Sequence, residues 1–345
     1  MQLATITYST ALVIMLGWLL WVGKPVLLPV IAAIIVLYVL SEAALGLGRV
    51  PVFRHAPSWM LRLLVLVGFI VAIMLLFFLF ITSFARVAAA LPGYESNLDL
   101  LVARATSFLG IEEEPNWRIL RDSTLGRLDA TRLIAPLVNS IGAFGVALFL
   151  IVLYASLFFA ERLYFVNKLA IALGGTERGD RAMALLNRIN ERVGKYLLVK
   201  TIVNLILGII SLAIMYAIGI EFAVFWAVLI AFLNYVPYFG SLVAVMFPVL
   251  ISLAQSGSIG FALLSLATLT AAQAFVAGVL EPRLMGRAFN LSPVVVLLAL
   301  AFWGTLWGIP GAVLAVPLTA SLVIVFAEVD KTRPAAVMLS ARGKV

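Results

Sequence analysis

Cysteine is absent, histidine occurs once, and only 12% of the 345 residues are charged. Each shortage closes a class of function. Without Cys there is no disulfide, thiolate metal site or cysteine nucleophile, and a lone His55 removes histidine-based metal chemistry and most catalytic triads. Soluble globular chains carry about 25% charged residues. With 64% hydrophobic residues and a mean hydropathy of +1.16, this chain holds more apolar surface than a soluble core could hide. It reads as an all-α polytopic integral membrane protein, because in lipid the backbone must satisfy its own hydrogen bonds. The opening "MQLATITYSTALVIMLGWLLWVGKP" lacks a basic n-region and a small-residue cleavage site, so a retained span is expected there.

Catalytic signatures are also missing. There is no G-x-S-x-G, H-E-x-x-H, Walker loop or dinucleotide fingerprint, and "GLG" at 46–48 and "GGT" at 174–176 are turn glycines without phosphate-loop context. No enzymatic activity, cofactor or metal is expected. The net charge of +8 is spread over loops, which suits membrane-flanking charge rather than a nucleic-acid partner.

What is present is hydrophobic length. A span needs about 20 apolar residues, and qualifying runs lie near 8–23, 26–46, 61–84, 141–160, 197–220 and 258–280, with two overlong runs at 222–255 and 291–326. As straight helices, the 34 and 36 residues of the last two would reach roughly 50 Å, well past a hydrocarbon core about 30 Å thick. Each must be broken or folded back, so about eight segments are expected, the sixth and eighth broken or re-entrant.

Charge orients the chain. Residues 161–200 hold eight Lys/Arg against four acids, and the loop carrying Arg49, Arg54 and Arg62 has no acid, so both belong in the cytoplasm. Both termini then lie inside. Residues 85–140, with six Arg and seven acids, fall outside. That outer segment, broken at Gly110 and around Pro115, and the inner segment 176–196, with Thr176 as its expected N-cap, have the apolar spacing of amphipathic helices. The resulting layout is an N-terminal three-span region (1–84), the outer segment (85–140), a fourth span with its cytoplasmic helix (141–196), a core with two broken segments (197–326) and a cytoplasmic tail (327–345).

The interruptions carry the functional signal, since irregular backbone at membrane depth persists only where protein buries it or water lines it. In "LNYVPYFGSLVAVMFPVLISL" the breakers Pro237 and Gly240 free backbone groups, and Asn234, Tyr235, Tyr238 and Ser241 add polar side chains. The alternative is a kink packed against its neighbours. The second run is cut by Ser292 and Pro293, just after Asn290, then by Gly304, Thr305, Gly308, Pro310 and Gly311, and again at Pro317. An ordinary span followed by a broken run, twice over, points to a transporter's binding region. As single crossings the runs make the halves parallel, as re-entrant hairpins they make them an inverted repeat, and run length favours hairpins. Gln273, an amide deep in an apolar span, is expected to face protein or a cavity. Glu221 and Glu281 suit interfacial positions; the alternative is a coupling or gating role, with Arg283 and Arg287 as candidate partners of Glu281. Lys200 and Asn204, one turn apart, share a helix face, with snorkelling the alternative for Lys200. Trp18, Trp21, Trp303 and Trp307 suit interfacial belts or packing.

The stretches "VGKYLLVKTIVNLILGIISLAIMYAIGI", "FLNYVPYFGSLVAVMFPVLISL" and "EPRLMGRAFNLSPVVVLLALAFWGTLWGIPGAVLAVPLTASL" resemble the autoinducer-2 exporter family of bacterial permeases, densely over about 190–326 and by layout before it. The resemblance implies a multi-pass protein of the bacterial inner membrane with no ATPase, exporting a small polar solute such as autoinducer-2. It also implies homo-oligomers, pentamers among them, and motif positions at Asn234, Pro237, Gly240, Pro282, Gly286, Pro293, Gly304, Gly308, Gly311 and Pro317. Other relatives are Na⁺ or Li⁺/H⁺ antiporters, so H⁺ or Na⁺ is a second candidate partner. Here Ala277 precedes Gly278, where some relatives carry an acid, and that departure counts against cation coupling through this position. An oligomeric scaffold or passive pore, organised by the two amphipathic segments, is a third reading.

Overall fold

The computed structural model describes residues 2–109, 145–158, 176–285 and 290–341, with isolated positions 142, 161, 164, 168, 171–172 and 343. The expected breaks at Gly110 and Pro115 and the candidate Arg287 lie outside the described residues. Every named element among the described residues is helical: α1 (Gln2–Val22), α2 (Lys24–Gly48), α3 (Ser58–Ala90), α4 (Glu95–Leu109), α5 (Gly145–Phe158), α6 (Thr176–Ile218), α7 (Ala223–Leu233), α8 (Phe239–Ser256), α9 (Ile259–Phe275), α10 (Glu281–Met285), α11 (Pro293–Trp307), α12 (Ile309–Glu328) and α13 (Arg333–Leu339). Short 3₁₀ turns at Pro51–Phe53 and Leu91–Tyr94 flank α3, and a π-helical turn, Val276–Leu280, joins α9 to α10.

Among the described residues, six helical stretches are long and apolar enough to cross a membrane: Lys24–Gly48, Trp59–Arg104, Gly179–Ile218, Phe239–Ser256, Ile259–Leu284 and Ile309–Glu328. Four shorter apolar helices accompany them, Thr10–Val22, Gly145–Phe158, Ala223–Leu233 and Pro293–Trp307. Each overlong run splits once, into Ala223–Leu233 with Phe239–Ser256 and into Pro293–Trp307 with Ile309–Glu328. The inner amphipathic segment has no boundary of its own. It continues through the following span as the 43-residue α6.

The chain forms two compact units. One holds residues 66–144 and 200–286 and contains the first overlong run. In it α6 ends at Gly219 (φ 82°), where the amides of Gly219 and Ile220 both donate to the Met215 carbonyl at 3.0 and 2.9 Å. Helix α7 follows after Phe222 and stops at Asn234, whose amide still donates to Ile230 O. The turn 234–238 contains Pro237, where the missing N–H breaks no helical bond, and ends on Tyr238 at φ 59°. Helix α8 then runs back along α7. Trp226 and Phe247 stack across the pair with centroids 6.1 Å apart, and a Cβ at Gly240 would overlap the Leu233 carbonyl oxygen. The run also returns to where it began, because the Gln255 side chain near its end donates to Gly219 O at 2.9 Å and accepts from the Glu221 amide at 3.0 Å. It is a helical hairpin.

The other unit, residues 1–65, 145–199 and 287–345, contains the second run, built the same way. Helices α11 and α12 meet at Gly308 (φ 69°) and pack back on one another, with Trp303 Nε1 donating to Thr319 Oγ1 at 3.1 Å. A Cβ at Gly311 would overlap Trp303 O. The segment before α11 meets the segment after α13, since Leu291 bridges Ser340 and the Ser292 amide donates to Leu339 O at 3.2 Å. Trp303 and Trp307, with Ala299 and Ala315, form a buried cluster against α1 and α2 side chains, and Trp307 Nε1 donates to Leu20 O at 3.1 Å. These two Trp are packing residues, whereas Trp18 and Trp21 are exposed.

Candidate functional site

Polar groups inside the unit holding the first hairpin gather at its two ends. At the tip, α6 presents Lys200, Thr201 and Asn204 on consecutive turns. Lys200 Nζ donates to Glu281 Oε1 at 2.7 Å, and the two side chains are 6% and 24% exposed. Asn234 Nδ2 donates to Asn204 Oδ1 at 2.9 Å with both residues buried, and Tyr235 OH donates to Thr201 Oγ1 at 2.7 Å. Hairpin, long helix and the start of α10 are thereby tied by one ion pair and two hydrogen bonds. Asn204 Nδ2 retains no acceptor, and neither does Gln273 Nε2, two turns before Glu281.

The local sequence explains the placement. Pro282 removes an amide and its ring crowds the carbonyl four residues back, so the helix widens into the π-turn 276–280 just before Glu281. The charge pair follows from burial, because an ionised group with few waters keeps its charge only beside an opposite one. Among the described residues Lys200 is the partner of Glu281, while Arg283 is exposed. Lys200 does not snorkel; it is 5% exposed.

At the opposite end of the hairpin a second network forms around the loops 219–222 and 254–258. Tyr94 OH donates to Glu221 Oε2. Asn97 Nδ2 donates to the carbonyls of Ala254 and Gln255 at 3.1 and 2.7 Å, capping the last turn of α8, and Arg104 Nη1 reaches Gly257 O at 3.4 Å. With the Gln255 bonds to Gly219 and Glu221, the 3₁₀ turn and α4 form a strap across both loops. Sequence reasoning found Glu221 but missed Tyr94, Asn97, Arg104 and Gln255. Gln255 two residues before Gly257 marked a helix end, but nothing local showed that α4 would be what satisfies it.

The remaining candidates divide by unit. Tyr238 and Ser241 sit at the exposed tip, where Ser241 Oγ donates to Tyr238 O at 2.9 Å. Asn290, Ser292, Pro293, Gly304, Thr305, Gly308 and Pro310 all belong to the second hairpin's unit. There Asn290 O accepts from the Ala341 amide at 2.9 Å, Ser292 and Pro293 start α11, and Thr305 Oγ1 donates to Ala301 O at 2.7 Å.

Stacked apolar helices, two interrupted by hairpin turns, with an ion pair and amides in the interior, define a polytopic α-helical membrane protein. A family model described as AI-2E family transporter matches residues 10–331, and the chain belongs to that family. It is 28% identical over 347 residues to AI-2 transport protein TqsA of Escherichia coli K12, covering 95% of each chain. YhhT of the same bacterium, provisionally designated a transport protein, is 27% identical over 321 residues, 86% of this chain and 89% of that one. A Mycobacterium tuberculosis protein with the same provisional designation is 39% identical over 102 residues, 30% of this chain and 28% of its own. The resemblance drawn from the C-terminal motifs therefore extends over nearly the whole length.

Proposed function

We propose that this protein exports a small, uncharged polar solute across the bacterial inner membrane, by a gradient or passively, with the tip of the first hairpin in the transport path. The observation that carries the reading is the buried tip cluster of Asn204, Asn234 and the neutralised Lys200–Glu281 pair, with Asn204 Nδ2 left as a donor for a ligand oxygen. A site with its charges paired and one amide donor free suits a hydroxyl- or carbonyl-bearing molecule. Autoinducer-2 is the first substrate to test, given the likeness to TqsA over 95% of the chain. In this reading both hairpins are re-entrant. Helix α7 has 11 residues and spans only about 16 Å, too short for a core about 30 Å thick. Both termini then lie in the cytoplasm, and the halves form an inverted repeat. Proteoliposomes loaded with autoinducer-2 should release it faster with the wild-type protein than with Asn204→Leu. Equal release from protein-containing and empty vesicles would reject this substrate.

The Lys200–Glu281 pair supports a second reading, Na⁺ or Li⁺/H⁺ antiport, in which Glu281 exchanges its lysine for a cation. That reading requires a cation-dependent proton flux that Glu281→Gln abolishes.

A further inference from the structure

We propose that the loop between α2 and α3 is a binding site for the phosphate-bearing headgroup of an anionic phospholipid. The loop lies in the unit that holds the second hairpin, and none of its residues is among those assigned to transport above. Gly48, Arg49, Pro51, Arg54 and His55 line a cleft of about 520 Å³ there. Among the described residues no ion pair or side-chain hydrogen bond is made by Arg49, Arg54 or His55, and no carboxylate lines the cleft. Two permanent cations and an imidazole therefore line one space with no counter-charge among the described residues. A guanidinium fork fits phosphate oxygens in bidentate geometry, so the missing partner is an anion of that kind.

The carbonyls that would otherwise repel an anion at the end of α2 are occupied. Gly46 O and Leu47 O accept from the amides of Arg49 and Val50 at 3.1 and 3.0 Å. Position selects a lipid over a soluble phosphate. The loop joins two stretches long and apolar enough to cross a membrane, so it lies at the bilayer boundary. Val52, between Arg49 and Arg54 in the chain, and Trp59, after His55, are 82% and 63% exposed and present apolar surface suited to the headgroup region. A basic cleft between helix ends with apolar flanks is what an anionic headgroup and its acyl chains fill together.

The test uses the full-length protein in neutral detergent, with bound lipid counted by native mass spectrometry during titration. The probes are dioctanoyl phosphatidylglycerol, dioctanoyl phosphatidylcholine and glycerol 3-phosphate. Wild type should bind the phosphatidylglycerol about tenfold more tightly than the phosphatidylcholine. Arg49→Gln with Arg54→Gln should remove that preference. Lys331→Gln with Arg333→Gln loses the same charge elsewhere and should keep it. Should the double loop variant fail to fold, the exposed single substitution Arg54→Gln must still lower the preference several-fold. An unchanged preference in the loop variants overturns the proposal. Binding of glycerol 3-phosphate as tight as that of the lipid also overturns it, in favour of a soluble anion, and a preference lost equally in the tail variant would assign the effect to net charge.

Discussion

Lys200 and Glu281 illustrate how burial sets the value of a charge. Separated by 2.7 Å and mostly withdrawn from solvent, they are held by mutual need, and removing one leaves the other buried and unpaired. Lys200→Met should therefore destabilise the protein by about 3 kcal/mol, while Lys200→Met combined with Glu281→Leu should recover most of that loss. Unfolding in a detergent–urea titration checks both, and a single variant as stable as wild type would mean the pair contributes nothing. Asn204 and Asn234 allow a cleaner separation of structure from function. Replacing both by Leu removes donor and acceptor together, so stability should change by no more than about 1 kcal/mol whereas solute release is lost. Retained release in a folded double variant would exclude these amides from the path.

At the scale of the element, the hairpins rest on two glycines that no other residue can replace. Gly240 and Gly311 each lie where a Cβ would meet the carbonyl oxygen of the facing helix, Leu233 and Trp303 respectively. Alanine at either position forces the arms apart, and a loss of about 3 kcal/mol or more is expected, enough to reduce the yield of folded protein. Gly278, with open space around it, should accept alanine with little change in thermal stability. If all three variants melt alike, the close approach is not what holds the turns. Pro237 and Gly240 were legible as breakers in the sequence, and so was the excess length that demanded a break. Whether the break folded the run back was not legible, because that depends on contacts between residues far apart, such as Gln255 with Gly219 and Leu291 with Ser340. The same limit hid the strap. Tyr94 and Asn97 read as ordinary polar residues of an amphipathic segment until their partners, 127 and 157 positions away, are in place.

For the molecule as a whole, the strap offers a test of movement. A Cβ at Gly257 would lie 3.4 Å from that of Asn97, close to disulfide spacing, and the chain has no native cysteine to interfere. Asn97→Cys with Gly257→Cys should cross-link on oxidation, although Gly257 at φ 59° makes the substitution mildly strained. If transport requires these loops to separate from α4, oxidation should reduce solute release severalfold and reduction should restore it; unchanged release in the cross-linked protein would make the strap static. Single cysteines map the proposed topology. Val52→Cys and Met338→Cys should react with an impermeant maleimide only from the cytoplasmic side, and Ile259→Cys only from the outside. Labelling of all three from one side would reject the arrangement.

The sequence by itself determined the class of molecule. Composition, run length and the absence of cysteine act additively and locally, so membrane residence, helical structure, the family likeness and the breaks near Pro237 and Gly308 could be read directly, whereas Pro317, which also reads as a break, is buried inside α12. Only the tertiary structure decided which way the broken runs turn, that Glu281 pairs with Lys200, and that α4 clasps the loops of the first hairpin. Those are long-range pairings, in which a buried polar group takes whichever partner the fold brings within about 3 Å, and sequence spacing carries no record of that distance.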